Sequence, residues 1–383
     1  MKTLGIAVAL LILAACGSTS NPVSREGVRA NVLLALLQAK GTTDQFNFNT
    51  ITLVGMDGSV RASTSFTPAA RANLGCMGAV PPASARVAAG KAFFADGSGA
   101  VRSLAPDGTV TLVTTFPITS AQQMLSFAVS PDGTTVMAGI FAAPVNALTC
   151  NGSTPSGNYT FNAYRASAGA SPQPVYHQSW SQPPSAVMAF TGWDSIGPIG
   201  TYPTVYASQG GGPSSTLGVL ARIDPTTLKA TPLGDASSCL VWDSNASGAF
   251  VCTGDAATGA TATSARVQTS VSVRQPNGQE SWRFTVADEN AAFSPFLSPD
   301  DRHVVICCSL SASSEFVFAK DGTHGMLASG FSAGGWLDSS TVYGWTGAST
   351  DSPDGTASYV ALDAPQAVVK LGVVGRLVGP IQL

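Results

Sequence analysis

The sequence predicts an all-β protein, built as a single β-propeller of seven four-stranded antiparallel blades, with six or eight blades as alternatives. From residue 45 onward, short runs rich in Val, Phe, Tyr and Thr are separated by Gly, Pro, Asn and Asp turns, and no long helical period interrupts them. Two kinds of hairpin alternate along this region. Their apolar strand ends recur at intervals of about 50 residues, the size of one blade.

The first kind of hairpin is apolar on both faces and often aromatic, which is typical of strands buried between neighbouring sheets. Four segments have this composition: 124–141, 238–254, 293–309 and 334–345. The equivalent strand ends lie near Val129, Trp193, Trp242, Leu297 and Leu337. We expect these segments to form the inner, buried half of each blade.

The second kind of hairpin is more polar and turns on a Gly, Asn or Asp residue, which is typical of strands with one solvated face. Seven segments have this composition: 51–66, 100–116, 159–180, 218–233, 271–286, 315–331 and 359–374. Each blade of a propeller runs from a central channel, through buried strands, to a solvated edge. The alternation of the two hairpins therefore predicts a propeller, and the seven outer hairpins predict seven blades.

Two segments remain without a hairpin partner, 31–41 near the start and 375–383 at the end. We expect the second of them to complete the first blade, because this closes the ring and removes the last free sheet edges. An alternative for residues 28–40 is an amphipathic helix, since Ala, Leu, Gln and Lys are good helix formers and Gly41 follows as a C-cap. Of the two, we favour the strand.

The tight turns carry a recurring motif. Ser130 to Gly133 fit a type I turn in which Ser caps, Pro presets φ and Gly takes the left-handed conformation of a hairpin bulge. The motif is echoed at Ser298 to Asp301, where Asp301 replaces the Gly, and at Gly335 to Asp338. This pattern resembles the repeats of TolB-type, WD-repeat-like periplasmic β-propellers. The resemblance implies a protein-binding scaffold whose motifs are turns and carry no catalytic role.

The first residues predict export. Residues 1–15 combine a Lys with an apolar run that is too short for a permanent membrane helix, which is typical of a signal peptide. Leu13 to Cys16 resemble the lipobox of bacterial lipoproteins, which implies cleavage before Cys16 and acylation of its thiol and new amino terminus. We expect a signal peptide at 1–15, lipidated Cys16 with a flexible polar tether at 16–27, and the propeller domain at 28–383.

These parts predict a location and a set of partners. We expect the protein in a bacterial cell envelope, with its lipid at the periplasmic face of the outer membrane or at the cell surface. The bilayer, reached through acylated Cys16, is one partner, and a protein, peptide or envelope polymer is the other. Charged residues make up 11% of the chain and the net charge is −3, with no Lys/Arg cluster, so nucleic acid is not an expected partner.

Besides Cys16 the chain has six cysteines, and an exported protein meets an oxidising compartment that favours pairing. Cys239 and Cys252 flank one hairpin, and we expect Leu240 to lie opposite Val251 there, so that the two sulfurs face each other. The prediction is a cross-strand disulfide between Cys239 and Cys252.

The other cysteines are less constrained. Cys76 and Cys150 fall in loops that a propeller places on the same face, so a disulfide between them is a second expectation. Cys307 and Cys308 are adjacent, and successive strand residues point to opposite faces. They are interpreted either as buried thiols or as a vicinal disulfide at a ligand site.

Histidines and carboxylates suggest no catalytic centre. The chain has three histidines: His177, His303 and His324. None has a second His, Cys or carboxylate at metal-ligand spacing. Three carboxylates stand at the ends of inner strands: Asp194, Asp243 and Asp338. Turn capping explains them. Since no Ser-His-Asp order, phosphate-binding loop or nucleophile elbow is evident, we expect no catalytic residue, metal or cofactor.

Two functions are consistent with these patterns. The first is a membrane-anchored interaction scaffold, in which one face of the propeller binds a protein, peptide or envelope polymer. The alternative is a propeller hydrolase, lactonase-like or phytase-like, with a calcium ion at the channel mouth. The alternative requires that carboxylates such as Asp194, Asp243 and Asp338 converge at one end of the channel.

Overall fold

The computed structural model describes residues 31–41, 47–68, 85–144, 157–182, 187–204, 219–234, 239–254, 268–287, 294–307, 315–347 and 355–383. Within these ranges the regular elements are β-strands, and no α-helix occurs. The described residues contain no helix with the length and apolar character needed to cross a bilayer. The predicted all-β class is confirmed.

In the described ranges, 28 strands form seven antiparallel four-stranded sheets, which are the blades of a propeller. The strands of each blade are given from the inner strand outward. Blade 1 consists of β28 (Arg376–Gln382), β1 (Val32–Gln38), β2 (Thr50–Gly55) and β3 (Val60–Ser65), and blade 2 of β4 (Ala85–Ala88), β5 (Lys91–Ala95), β6 (Ala100–Leu104) and β7 (Val110–Thr115). Blade 3 consists of β8 (Gln123–Val129), β9 (Thr135–Ala142), β10 (Tyr159–Ser167) and β11 (Gln173–Trp180), and blade 4 of β12 (Val187–Trp193), β13 (Pro198–Thr204), β14 (Val219–Ile223) and β15 (Ala230–Pro232).

Blades 5 to 7 are β16 (Leu240–Ser244), β17 (Phe250–Thr253), β18 (Gln268–Arg274), β19 (Glu280–Ala287); β20 (Ser294–Leu297), β21 (His303–Cys307), β22 (Phe316–Ala319), β23 (His324–Met326); and β24 (Phe331–Asp338), β25 (Thr341–Thr346), β26 (Thr356–Ala361), β27 (Val368–Val374). The predicted count of seven blades is confirmed, and all seven outer hairpins lie where the sequence places them.

The ring closes through the last strand. β28 pairs antiparallel with β1, with Leu33 opposite Ile381, so the end of the chain supplies the inner strand of blade 1. β1 is buried along almost its whole length. A strand packed between two blades needs apolar residues on both faces, which explains why its sequence resembles that of a buried helix. The strand prediction is confirmed, and the helical alternative is wrong.

The core consists of apolar layers between neighbouring blades. The layer that closes the ring joins Leu34 and Leu36 of blade 1 to Leu337 and Tyr359 of blade 7. Second strands contribute more of the buried apolar residues than first, third or outer strands do, and the outer strands are largely exposed. In each blade the apolar hairpin therefore lies near the channel and the polar hairpin at the outer edge, which explains why the two kinds alternate along the sequence.

The two faces of the disc differ. In blades 2 to 7, short turns join the first strand to the second and the third to the fourth, and we call the face that carries them the turn face. Two of the three predicted copies of the motif lie there, whereas Gly335 to Asp338 are the last residues of strand β24 and do not form the turn. Gly133 has φ +73° and donates to the carbonyl of Ser130 at 2.8 Å, and Asp301 has φ +61° and donates to the carbonyl of Ser298 at 3.1 Å. Both motifs form the expected turn.

Candidate functional site: a groove between blades 4 and 5

Blades 4 and 5 are joined on the turn face by Arg222, which lies on β14. Its Nε and Nη2 donate to Oδ2 of Asp194 at 3.0 and 2.9 Å. Nη2 also donates to the carbonyl of Gly248 at 2.8 Å, and Nη1 donates to the carbonyl of Pro276 at 3.2 Å. The guanidinium therefore ties one turn of blade 4 to two turns of blade 5.

The partner carboxylate is nearly inaccessible, since Asp194 is 1% exposed. Its Oδ1 accepts the backbone N–H groups of Ile196 and Gly197 at 2.8 and 2.9 Å, so it caps its own turn as predicted. Gly248 has φ +86°, and a Cβ there would lie 2.9 Å from Nη2 of Arg222. A glycine is required because the guanidinium approaches the backbone so closely.

A groove of about 540 Å³ opens beside this ion pair. One wall is the turn at Ile196 and Gly197, the second is the β14–β15 hairpin, and the third is the turn from Pro276 to Gly278. Arg222 lines the groove, but its donors are committed to Asp194 and to backbone carbonyls. The groove is therefore preformed, and its floor is fixed by hydrogen bonds that link two blades.

The β14–β15 hairpin is held in an ordered turn. Oδ1 of Asp224 accepts the N–H groups of Thr227 and Thr226 at 2.7 and 2.9 Å, and these hydrogen bonds hold the pKa of Asp224 below its ordinary value. Leu228 has φ +55°, an unfavourable conformation for a branched residue. Its side chain is buried in a cluster with Phe190 and Ile223, and this burial offsets the strain.

The groove combines apolar and polar contacts. Ile196 is 58% exposed at its rim. The remaining lining includes proline rings, hydroxyls, an amide and a cation: Pro225, Pro232, Pro276, Thr227, Thr231, Asn277 and Lys229. Since Asp194 neutralises Arg222, the charged groups that the groove offers to a ligand are the ammonium of Lys229 and the carboxylate of Asp224. Such a lining suits an extended polypeptide, whose apolar side chains contact Ile196 and the prolines while its backbone hydrogen-bonds to Thr and Asn.

Asp243, the second predicted carboxylate, has a different role. Its Oδ2 accepts the backbone N–H of Leu297 in blade 6 at 2.9 Å. Burial raises the pKa of Asp243 to about 6. Burial and the charge of Asp243 together raise the pKa of Tyr343 in blade 7 above its ordinary value. Instead of serving only as a turn cap, Asp243 joins the inner strands of two blades.

Asp338 caps its own turn, as predicted, by accepting the N–H and hydroxyl of Ser340 at 2.7 and 3.0 Å. The carboxylates of Asp194, Asp243 and Asp338 thus have three separate sets of partners. Among the described residues, no group of three or more His, Cys, Asp and Glu side chains could hold a metal ion. The described part of the chain does not assemble these carboxylates into the cation site that the hydrolase alternative requires.

Cys239 and Cys252 are disulfide-linked in the structure, with Cα atoms 5.1 Å apart. The predicted register of their hairpin is wrong, because Leu240 pairs with Thr253 and Asp243 pairs with Val251. The register differs because the turn spans Asn245 to Ala249 instead of centring on Asn245 and Ala246, and a β-bulge between Val241 and Asp243 then changes the pairing by one residue. Cys252 lies directly opposite Val241, and Cys239 reaches it diagonally.

Of the other cysteines, the structure describes only Cys307. Cys16, Cys76, Cys150 and Cys308 lie outside the described residues. Cys307 ends β21. Both interpretations of Cys307, a buried thiol and a vicinal disulfide with Cys308, therefore stand.

His177 lies on blade 3, whereas His303 and His324 both lie on blade 6. Nδ1 of His177 on β11 is 2.7 Å from Oδ1 of Asn162. The ring of His303 packs against Trp336 with centroids 5.9 Å apart, and His324 stacks on Phe318 at 5.7 Å. Each of the three imidazoles therefore contacts a different side chain.

Sequence reasoning missed Arg222 and Lys229. Arg222 interrupts the apolar run of β14, and a charged residue flanked by buried Ala221 and Ile223 is a signal that a partner is needed. The identity of that partner depends on how two blades pack, so the sequence does not reveal it.

The fold and this groove define a class of protein, a seven-bladed β-propeller with a preformed groove between two blades. No protein-family model matches the chain, and no curated protein matches it. Solved structures do match. An oligogalacturonate lyase in complex with manganese is 10% identical, covers 86% of this chain and 90% of its own, and has a TM-score of 0.50.

Structures of TolB and BamB are among the other matches. TolB from Acinetobacter baumannii is 13% identical over 91% of this chain and 82% of its own, with a TM-score of 0.40. BamB from Moraxella catarrhalis is 12% identical over 83% of each chain, with a TM-score of 0.37. At these identities the likeness is one of fold alone. The predicted propeller architecture is confirmed.

Proposed function

We propose that the protein is a lipid-anchored interaction scaffold of the bacterial cell envelope, which holds an extended polypeptide segment in the groove between blades 4 and 5. The observation that carries the proposal is the preformed groove with its floor fixed by Arg222 and Asp194. A rigid site loses little conformational entropy when a ligand binds.

The lining favours a particular kind of segment. The apolar rim, with Ile196 exposed beside three prolines, suits apolar side chains. Lys229 on one wall favours an acidic residue at the matching position of the ligand. We therefore expect an extended segment that carries apolar residues and one acidic residue.

The anchor belongs to the same proposal. Lipidated Cys16 and the tether at 16–27 attach the propeller to the membrane, and a polar chain of this length spans up to about 40 Å when extended. This reach lets the turn face meet a partner in the same envelope compartment.

The hydrolase alternative has less support from the described residues. One fold neighbour is an oligogalacturonate lyase that binds manganese, but its 10% identity carries no activity to this chain. The carboxylates that were expected to converge have separate partners. A calcium-dependent rise in melting temperature that Asp243→Asn abolishes would favour the alternative.

The test uses random peptides displayed on phage and selected on the immobilised full chain. Thr231→Trp fills the groove and Lys229→Glu reverses its charge, so we expect each to weaken the selected peptides at least tenfold. Thr111→Trp on β7, an exposed outer strand of blade 2, is the matched control and leaves the affinity unchanged. Melting curves of all variants verify the fold. Peptides that bind the wild type and Thr231→Trp equally well contradict the groove as the binding site.

A further inference from the structure

The outer strand of blade 3 is an unusual sheet edge. β11 is eight residues long, and its sequence, QPVYHQSW, has no charged residue. Six of its residues are exposed, and only Val175 and Trp180 are partly covered. A long, uncharged and exposed edge strand is a template for pairing with another chain.

The other outer strands carry the usual protection against pairing. β15 and β23 have three residues each. β3, β19 and β27 contain charged residues, among them Arg61, Glu280 and Lys370. β7 is uncharged, but the N–H of Gly169 in blade 3 donates to its Val113 carbonyl at 2.8 Å. β11 begins with two such devices, Pro174 and a β-bulge at Val175, but its last five residues, Tyr176 to Trp180, are uncharged and keep an unbroken register. None of the other six edges of the described blades has an uncharged stretch of this length in unbroken register.

The backbone of β11 is open on its outer side. It pairs with β10 on the inner side, and in the described part of the chain no backbone group of another blade bonds to it. The outward N–H and C=O groups between Tyr176 and Trp180 therefore have no backbone partner among the described residues.

The side chains beside this edge are preorganised. Tyr176 is 38% exposed, and its ring lies against Phe161 with centroids 6.3 Å apart. Its hydroxyl donates to Oε1 of Gln178 at 2.6 Å. Val175 and Trp180 pack against the cluster between blades 3 and 4. Ordered aromatic and apolar side chains therefore lie beside the edge.

We propose that β11 is a docking edge for an extended, uncharged polypeptide strand of a partner protein, which adds to blade 3 by antiparallel β-augmentation. Backbone hydrogen bonds along the edge supply affinity. Apolar residues at alternate positions of the partner strand contact Tyr176 and Trp180 and supply selectivity.

The size and charge of the edge identify this occupant. A stable interface between folded proteins uses about 20–30 residues a side, and an eight-residue edge offers about a third of that, so a second copy of this chain is not its occupant. A charged residue on the added strand would lose water without gaining a partner, because β11 offers no opposite charge. The site is distinct from the groove between blades 4 and 5 and does not depend on it.

The chain itself provides a probe. β10 pairs with the inner side of β11, so a capped fluorescent peptide of residues 159–164, YTFNAY, is uncharged and has side chains that already match this strand. We expect saturable binding of this peptide to the full chain. Two N-methylated forms, one blocked at Thr160, Asn162 and Tyr164 and the other at Phe161 and Ala163, keep the same side chains. Only one edge of the peptide faces β11, so one form binds at least tenfold more weakly and the other is nearly unchanged.

Protein variants locate the binding. Gln178→Lys places a charge on the edge, and we expect at least a tenfold loss of peptide affinity. Thr111→Lys on β7, the uncharged outer strand whose Val113 carbonyl is bonded by Gly169, is the matched control and has no effect. The proposal is overturned by any of three results: no saturable binding, equal binding of both N-methylated forms, or equal binding to Gln178→Lys. Sedimentation that shows a dimer dissociated by Gln178→Lys, without peptide binding, would assign the edge to a second copy instead.

Discussion

At the scale of single residues, the structure uses polar side chains to join blades. Asp243 accepts a backbone N–H from blade 6, and Asp301 in blade 6 adopts φ +61°. Asp301 is held there by the amide of Asn245 and by the indole N–H of Trp282, which donates to its carbonyl at 2.8 Å. These contacts from blade 5 explain why an Asp occupies a turn position that usually needs a glycine.

Asp243 makes stability depend on pH. Its pKa is about 6 in the folded protein against an ordinary 3.8, so the folded state binds the proton more tightly. The stability that this group contributes is complete below about pH 4 and is lost as pH rises through about 6. We expect Asp243→Asn to be more stable than the wild type at pH 7, by about 1–2 kcal/mol, since partial water access reduces the full effect. At pH 4 we expect the gain to vanish.

Urea denaturation of both proteins at pH 4, 5, 6 and 7 measures this difference. Asp107→Asn is the control with opposite sign, because a hydrogen bond from the backbone N–H of Thr109 lowers the pKa of Asp107. Removing that carboxylate destabilises the protein at pH 7 and less so at pH 4. A pH-independent effect of Asp243→Asn would contradict the role of its charge.

At the scale of elements, the β16–β17 hairpin carries a β-bulge and the linked Cys239 and Cys252 at its base. Such a loop contributes about 3 kcal/mol in the chain-entropy model. We expect Cys239→Ala, Cys252→Ala and the double variant to lose a similar amount, because each removes the same bond. Non-reducing peptide mapping should recover the two cysteines in one linked pair. Free alkylation of both in the unreduced, denatured protein would disprove the bond in solution.

The sequence predicts the blades well and the contacts between them poorly. Hairpins and their order follow from local alternation and turn residues, so the strand at Val32–Gln38 and the closing strand were both predictable. The bulge in β16 shifts one register by a residue without a Gly or Pro signal. The pairing of Arg222 with Asp194 and the groove beside it depend on how two blades pack, which no local pattern contains.

At the scale of the whole molecule, the described chain begins and ends at one place. Leu383 donates its N–H to the carbonyl of Asn31 at 2.8 Å, next to the paired strands β28 and β1. A tether at 16–27 would therefore leave the propeller at blade 1. Blades 4 and 5, which form the groove, lie elsewhere in the ring.

The proposed anchor predicts a change in fractionation. We expect the wild type to sediment with membranes and Cys16→Ser to be released, because acyl chains supply anchoring at about 0.8 kcal/mol per buried CH₂. Cys76→Ser is the matched control and should stay with the membrane. Unchanged sedimentation of Cys16→Ser would refute lipidation as the anchor.

Ring closure by β28 also determines when blade 1 can complete its folding. β1 is buried between β28 and β2, yet its inner partner, β28, follows all the other described strands in the sequence. Until β28 is synthesised, blade 1 has an unpaired edge made of apolar residues, Val32 to Leu37. Such an edge invites wrong pairing until the final residues arrive. A late truncation would therefore leave the first blade, at the opposite end of the sequence, as the part of the chain most prone to aggregate.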